Sequence, residues 1–208
     1  MREPPIAGRR LAASSEQEWN AEYDGGRWQH LAGWEERPRY WILAAAIASA
    51  VPSARVLDAG CGAGVLRRVL ENFSFQSYTG LDISQSALGA ARQLLDERTG
   101  FICADATTWA PATEYDAIVW NEILYYFDDP RSLLERYTRY LSDRGRFIVS
   151  LYRPRHGRQV DWSHRVKAIE DFLPRDFRVM AKLRLSNEVI NRSWGVWVLE
   201  PKRPKPRG

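Results

Sequence analysis

Cysteine is scarce in this chain. Only Cys61 and Cys103 occur in 208 residues, each inside an apolar or Gly-rich segment, which excludes a disulfide framework and the paired spacing of a zinc site. A reducing, cytoplasmic setting is the expectation. Long apolar runs are missing too. The longest, at 40–51, has 12 residues, well short of the roughly 20 that span a bilayer, and it reads as a buried helix. No adequate apolar stretch follows the opening MREPP, so no signal peptide is expected. There is no internal repeat, no sign of a second domain and no metal-ligand cluster, so no metal is expected. A charged face is lacking as well: the net charge of +4 is matched by Lys202, Arg203, Lys205 and Arg207 of the closing PKRPKPRG, which leaves residues 1–200 balanced. Neither nucleic acid nor a membrane is an expected partner. The oligomeric state is not encoded legibly.

What is present is ordinary globular material, 45% hydrophobic and 27% charged, enough for one self-sufficient domain. Residues 1–14, with Pro4, Pro5 and Gly8, predict a disordered start, and 201–208 a disordered basic tail. Between them, 15–200 form a single domain whose first part, 15–52, is helical and serves as a lid. Helices are predicted over 15–23, after a serine cap, and over 34–50, separated by the breaker Asp24-Gly25-Gly26. From there strands at 55–59, 77–82, 100–103, 116–121 and 145–152 alternate with helices at 64–73, 84–97 and 130–141, the last opened by Asp129-Pro130. Such alternation gives an α/β fold, a mostly parallel sheet with helices on both faces. The chain ends differently, with a helix at 163–172 and strands at 178–185 and 193–199 that can pair as an antiparallel hairpin at one edge.

The most informative stretch is VLDAGCGAG at 56–64. An apolar strand runs into glycines at alternate positions, which let the backbone turn sharply and a ligand approach without a Cβ in the way. The dinucleotide fingerprint needs a further glycine where Val65 stands. Asp58, just before the loop, opposes a pyrophosphate and suits a cationic group. A second acid, Asp82 in GLDIS, closes the next strand and is placed to accept ribose hydroxyls; its alternative role, capping the following helix, suits Ser84 better. A third, Asp105 in ICADA, closes the strand after that. It is placed to accept an exocyclic amine, with Ile83, Ala106 and Trp109 flanking a ring.

Together VLDAGCGAG, GLDIS, ICADA and YDAIVWNEILYYF resemble motifs I to IV of class I S-adenosylmethionine-dependent methyltransferases, over about residues 53–152. The resemblance implies a Rossmann-like, seven-stranded sheet with an antiparallel last strand, S-adenosylmethionine as cofactor and S-adenosylhomocysteine as product. It implies that Asp58, Gly60 and Gly62 line the methionine part, with Ala59 and Cys61 of the same loop also in the cofactor site, that Asp82 binds the ribose, and that Asp105 with Ala106 contacts adenine. Asn121 would offer its backbone carbonyl to the methionine amine. More narrowly, YDGGRW, ERPRY and NEILYYFDDP are similar to the nodulation N-methyltransferases and their relatives. Those place cofactor or substrate contacts near Arg39 and Tyr40, with Tyr23 on the cofactor side.

The acceptor side is read from the residues after the fourth strand. Glu122 is a candidate proton acceptor for an amine or hydroxyl and borders the cofactor region; it is equally a helix-start carboxylate or a partner for an arginine. Tyr125 and Tyr126 wall the pocket or pack. His156, in the loop after the fifth strand, is the other candidate base. Trp19, Tyr23, Trp28 and Trp34 are large rings in a polar segment, suited to closing over a sulfonium or to packing on the sheet. Arg39 reads as a ligand contact or a helix-surface charge. No catalytic cysteine is placed near the fourth or fifth strand, and the Pro-Pro-aromatic run of base methylators is absent. The expected reaction is methyl transfer to nitrogen or oxygen of a small-molecule or saccharide acceptor. Its rivals are carbon methylation, a non-catalytic cofactor-binding subunit and a nucleotide-linked oxidoreductase.

Overall fold

Ser15 opens α1 (Glu16–Asp24) with a complete capping box, its hydroxyl accepting from the Glu18 amide while Glu18 reaches back to the Ser15 amide. The computed structural model describes residues 15–153 and 160–202; the readings of 1–14, of 203–208 and of His156 lie outside the described residues. A 3₁₀ turn, Gln29–Ala32, leads to α2 (Arg37–Ala50). This helix starts three residues later than the apolar pattern suggests, with Pro38 in the first turn, where a missing amide hydrogen is harmless.

The central sheet has seven strands, β1 (Ala54–Ala59), β2 (Phe75–Asp82), β3 (Thr99–Cys103), β4 (Tyr115–Asn121), β5 (Leu141–Arg153), β6 (Phe177–Asn187) and β7 (Arg192–Pro201). Their order is β3-β2-β1-β4-β5-β7-β6. The first five are mutually parallel, with Val56 opposite Tyr78 on one side and Ala117 on the other. β7 is antiparallel to both neighbours, so the terminal hairpin is at the edge as predicted, but its second strand lies inside the sheet. Between the strands run α3 (Val65–Leu70), α4 (Gln85–Ala91), α5 (Pro130–Tyr137) and α6 (Val160–Asp176). α3 and α4 are shorter than predicted, and α4 and α5 each end in a 3₁₀ turn. α6 is longer, because Val166, Ile169 and Leu173 continue one buried stripe past the expected end.

Alternating side chains split the interior into two layers. Leu57, Ile118, Trp120, Phe147 and Val149 belong to one core together with α5 and α6, and Val56, Ala117, Val119 and Ile148 to the other with α2 and α3. The folded part also extends beyond residue 200. Pro201 pairs with Phe177, and the Lys202 ammonium donates to the Pro174 and Arg175 carbonyls at 2.9 and 2.8 Å. Strand order reverses between β1 and β4, and in open α/β sheets the carboxyl ends of the strands at such a reversal leave a crevice for ligands.

Candidate active site

The segment after β1 is shaped by conformation and by space. Gly60, Gly62 and Gly64 have φ of +68°, +56° and +73°, values that side chains with a Cβ rarely adopt. A Cβ on Gly60 would stand 2.7 Å from Ile123 Cγ2, and one on Gly62 2.5 Å from the Tyr23 hydroxyl oxygen. The amides of Gly60 and Cys61 donate to the Leu81 carbonyl at 2.7 and 3.0 Å, which ties the loop to β2. Asp58 is buried behind this loop, and Ala59 is wholly buried beside it; the side chains that border the cleft begin with Gly60. Tyr78 donates to Asp58 Oδ2 at 2.6 Å, whereas Oδ1 is buried and has no partner among the described residues. Burial pushes the Asp58 carboxyl up to about 7.

Asp82 sits at the end of β2, almost fully buried. Its Oδ2 accepts from the Gly62 amide at 2.8 Å and its Oδ1 from the Ser84 amide at 2.9 Å, so one carboxylate fixes both the glycine loop and the entry to α4. Ser84, not Asp82, caps α4 by accepting from the Ala87 amide. Burial raises the Asp82 carboxyl, against these amide donors. Ile83, Asp105 and Ala106 border the same cleft, and Asp105 Oδ1 accepts from the Thr107 amide at 2.7 Å.

The end of β4 is the most constrained part of the cleft. Glu122 has φ +62°, a left-handed conformation that costs a non-glycine residue about 1–3 kcal/mol. Its amide donates to the Ser150 carbonyl at 3.1 Å, and its carboxylate accepts from the Ser150 hydroxyl and, at 2.9 Å, from the Tyr125 hydroxyl. Burial raises the Glu122 carboxyl, while the nearby Arg39 guanidinium and the two hydroxyls favour its charged form. Tyr125 is itself buried, so it both lines the cleft and packs in the core.

Arg39 is not a helix-surface charge. It is 2% exposed, with the Tyr40 ring 4.4 Å from its guanidinium carbon. Nε and Nη2 donate to Glu36 Oε2 at 3.2 and 3.0 Å, and Nη1 donates to Asn121 Oδ1. Glu36, 3% exposed, carries a second guanidinium, because Arg192 Nη1 donates to its other oxygen. A buried guanidinium that loses its carboxylate is strongly destabilising, which is why α2, β4 and β7 meet here in one arrangement.

The N-terminal helix covers the cleft. Asn20 Oδ1 accepts from the Ser84 hydroxyl at 2.8 Å and from the Ser86 amide at 3.1 Å, which docks α1 on the start of α4. Trp19 stands edge-on to Tyr126 at 5.2 Å. Tyr23 and Trp28 border the cleft as well, whereas Trp34 is 59% exposed and takes no part in the cover. The Tyr23 hydroxyl has no hydrogen-bond partner among the described residues and faces Gly62.

These residues enclose a cleft of about 260 Å³. The structure thus gathers Tyr23, Arg39, Gly60, Cys61 and Gly62 with Asp82, Ile83, Asp105 and Ala106, and brings Asn121, Glu122 and Tyr125 to the same wall. It adds Glu36, His30, Tyr152, Arg192 and Trp194, which the sequence did not single out. Only Glu36 left a signal, three positions before Arg39 at a helix start; Arg192 and Trp194 reach the cleft through sheet pairing more than 150 positions from it. His30 Nδ1 lies 3.0 Å from the Arg27 carbonyl, and its ring stacks on Trp28.

A glycine-turned crevice at a sheet reversal, walled by acids at the ends of successive strands, defines the fold of class I S-adenosylmethionine-dependent methyltransferases. Residues 33–192 match the family described as methyltransferase domain; the chain belongs to that family, whose cofactor is S-adenosylmethionine. It is 40% identical over 79 residues to a trans-aconitate 2-methyltransferase of Streptomyces avermitilis, covering 35% of this chain and 29% of that protein. With one of Acidovorax sp. it shares 30% over 131 residues, 62% of this chain and 50% of that one. The chain thus spans half or less of these curated relatives. Among solved structures, N-methyltransferase NodS from Bradyrhizobium japonicum WM9 with S-adenosylhomocysteine has TM-score 0.75 at 18% identity, covering 90% of this chain and 98% of that one. The [4+2]-cyclase SpnF has TM-score 0.64 at 14% identity, covering 93% and 99%.

The residues fit the cofactor. The Tyr23 hydroxyl, without a hydrogen-bond partner among the described residues, and the two glycine positions where a Cβ has no room provide polar and close-packed surface at one end, and the Asp82 carboxylate accepts from the Gly62 amide beside them.

Proposed function

We propose that the chain transfers the methyl group of S-adenosylmethionine to nitrogen or oxygen of a small-molecule or saccharide acceptor, in the cytoplasm. The observation that carries this reading is the continuity of the cleft, from Asp82 and the glycine loop to Glu122, Tyr125 and Arg39. The cofactor, when bound, supplies an activated methyl on a sulfonium. The protein's own task is then alignment, exclusion of water and removal of a proton. Asp82 and Asp105 hold the sugar and base, Tyr23, Gly60 and Gly62 the amino-acid part, and Asn121 its amine through the backbone carbonyl. Asp58, behind the loop, accepts from the Tyr78 hydroxyl and so ties β1 to β2 beneath the glycine turn. Glu122 takes the proton from an amine or hydroxyl acceptor, with Ser150 and Tyr125 orienting its carboxylate.

Because curated relatives are named for trans-aconitate methylation, organic acids are the first acceptors to try. The test is mass spectrometry of S-adenosylhomocysteine and methylated product, with methyl-labelled cofactor and a panel of amines, saccharides and organic acids. A chain that binds the cofactor yet forms neither with any acceptor would favour the rival reading, a cofactor-binding protein without methyl transfer.

A further inference from the structure

The acid-rich end of the cleft, with Asp82 and Asp105, is matched at the far end by a guanidinium that no protein carboxylate fully satisfies. Arg192 is the first residue of β7, paired with Asn187 across the β6–β7 turn. That turn is tied down by Asn187 Nδ2, which donates to the Glu35 carbonyl at 3.1 Å. The Arg192 side chain is 15% exposed and borders the cleft. Among the described residues its single hydrogen bond is Nη1 to Glu36 Oε1, so its Nε and Nη2 hydrogens have no partner there. Glu36 cannot neutralise it alone, since its other oxygen already serves Arg39. The Glu36 carboxylate is thus shared between the buried Arg39 and the partly exposed Arg192. Arg39 is the guanidinium enclosed by Glu36, Asn121 and Glu122, so the guanidinium hydrogens left over at the border of the cleft are those of Arg192.

We propose that Arg192 anchors the acceptor by a carboxylate, at a subsite completed by Glu36 and flanked by Trp194. A guanidinium presents its remaining hydrogens as a planar fork that matches a carboxylate. A carboxylate brings a single negative charge to a wall that already holds Glu36 and Glu122, where a phosphate dianion would bring two. The chain of bonds from Asn121 through Arg39 and Glu36 to Arg192 links the anchor to the end of β4. The inference rests on the methyltransferase reading and names the class of its acceptor. The other source of the same chemistry is the carboxylate of the cofactor's methionine.

The experiment is calorimetry on the full chain, first with S-adenosylhomocysteine and then, on the saturated complex, with trans-aconitate and with its trimethyl ester. The wild type should bind the acid and ignore the ester. Arg192→Gln should weaken the acid at least tenfold while S-adenosylhomocysteine affinity stays within about threefold, and Arg192→Lys should restore part of the loss. Reduced S-adenosylhomocysteine affinity with unchanged acid binding would assign Arg192 to the cofactor's carboxylate and overturn the proposal. Equal binding of acid and ester, or none of the acid, would also overturn it. Should Arg192→Gln not fold, the wild-type contrast between acid and ester, together with Arg192→Lys, decides. If the wild type fails to bind S-adenosylhomocysteine, the methyltransferase reading itself falls, which is a separate result.

Discussion

Asp58 offers a quantitative check on the buried floor of the cleft. Its carboxyl is 1% exposed and is pushed by burial from 3.8 to about 7. In the unfolded chain it titrates near the ordinary value, so between about pH 4 and 7 the native state holds a proton that the unfolded state has released. Stability therefore falls as pH rises through that window, the reverse of a salt-bridged carboxylate. A displacement of about three pH units corresponds to roughly 4 kcal/mol in total, of which about 2.5 kcal/mol develops between pH 5 and pH 8. Asp82 and Glu122 also have raised carboxyls and contribute with the same sign, while Asp116 and Asp129 are lowered and oppose them. The wild-type profile alone is thus not diagnostic. The comparison with Asp58→Asn is, because Asn keeps an acceptor for the Tyr78 hydroxyl and cannot ionise. Urea unfolding at pH 5 and pH 8 should show Asp58→Asn gaining about 2.5 kcal/mol relative to wild type across that interval. Parallel profiles for the two proteins would refute the reasoning.

Asp82→Ala removes the acceptor for two backbone amides and the proposed one for ribose; calorimetry should show S-adenosylhomocysteine affinity reduced by about 1.5–3 kcal/mol, and an unchanged affinity in a folded variant would take Asp82 out of the site. Gly60→Val combines a left-handed backbone with a Cβ 2.7 Å from Ile123, so thermal unfolding should shift down and cofactor binding be lost; a variant that binds normally would show that the loop is not a close-approach surface. Glu122→Gln should slow single turnover on an amine or hydroxyl acceptor by about 10²–10⁴-fold with cofactor affinity nearly intact. An unchanged chemical step would leave Glu122 as the residue that positions Tyr125 and Arg39.

The sheet and the glycine-loop end of the cleft were legible because each depends on neighbours in sequence. Short β-branched and aromatic runs identified the strands, and an acid or glycine immediately after a parallel strand must lie at its carboxyl edge, which is how Gly60, Asp82 and Asp105 came together. The end around Arg39 and Arg192 depends on pairings that no local pattern carries. Arg39 reads as a ligand contact or a surface charge, and neither reading reveals that its partners are Glu36, Asn121 and, through Glu36, Arg192. The same blindness hid Arg67, wholly buried with Asp96 and Thr99 although it sits on a short helix between strands. Trp34 erred in the opposite direction, since a tryptophan in a lid segment suggests closure over the ligand and the turn instead holds it in solvent.

The junction after β4 shows how the two ends constrain each other. Asn121 closes the strand and is fixed by Arg39, while Glu122, one residue on, is held in a left-handed turn by its amide to Ser150 and its carboxylate to Ser150 and Tyr125. A glycine at 122 would relieve the backbone but would leave Tyr125 and Arg39 without their charged neighbour. The strained turn is held by those bonds, and it keeps the carboxylate beside Arg39 at the end of β4. A side chain kept there against its backbone preference is expected to act on what the cleft holds. Placing Gln at the same position preserves shape and strain and removes only the charge, and so separates the chemical role of Glu122 from its structural one.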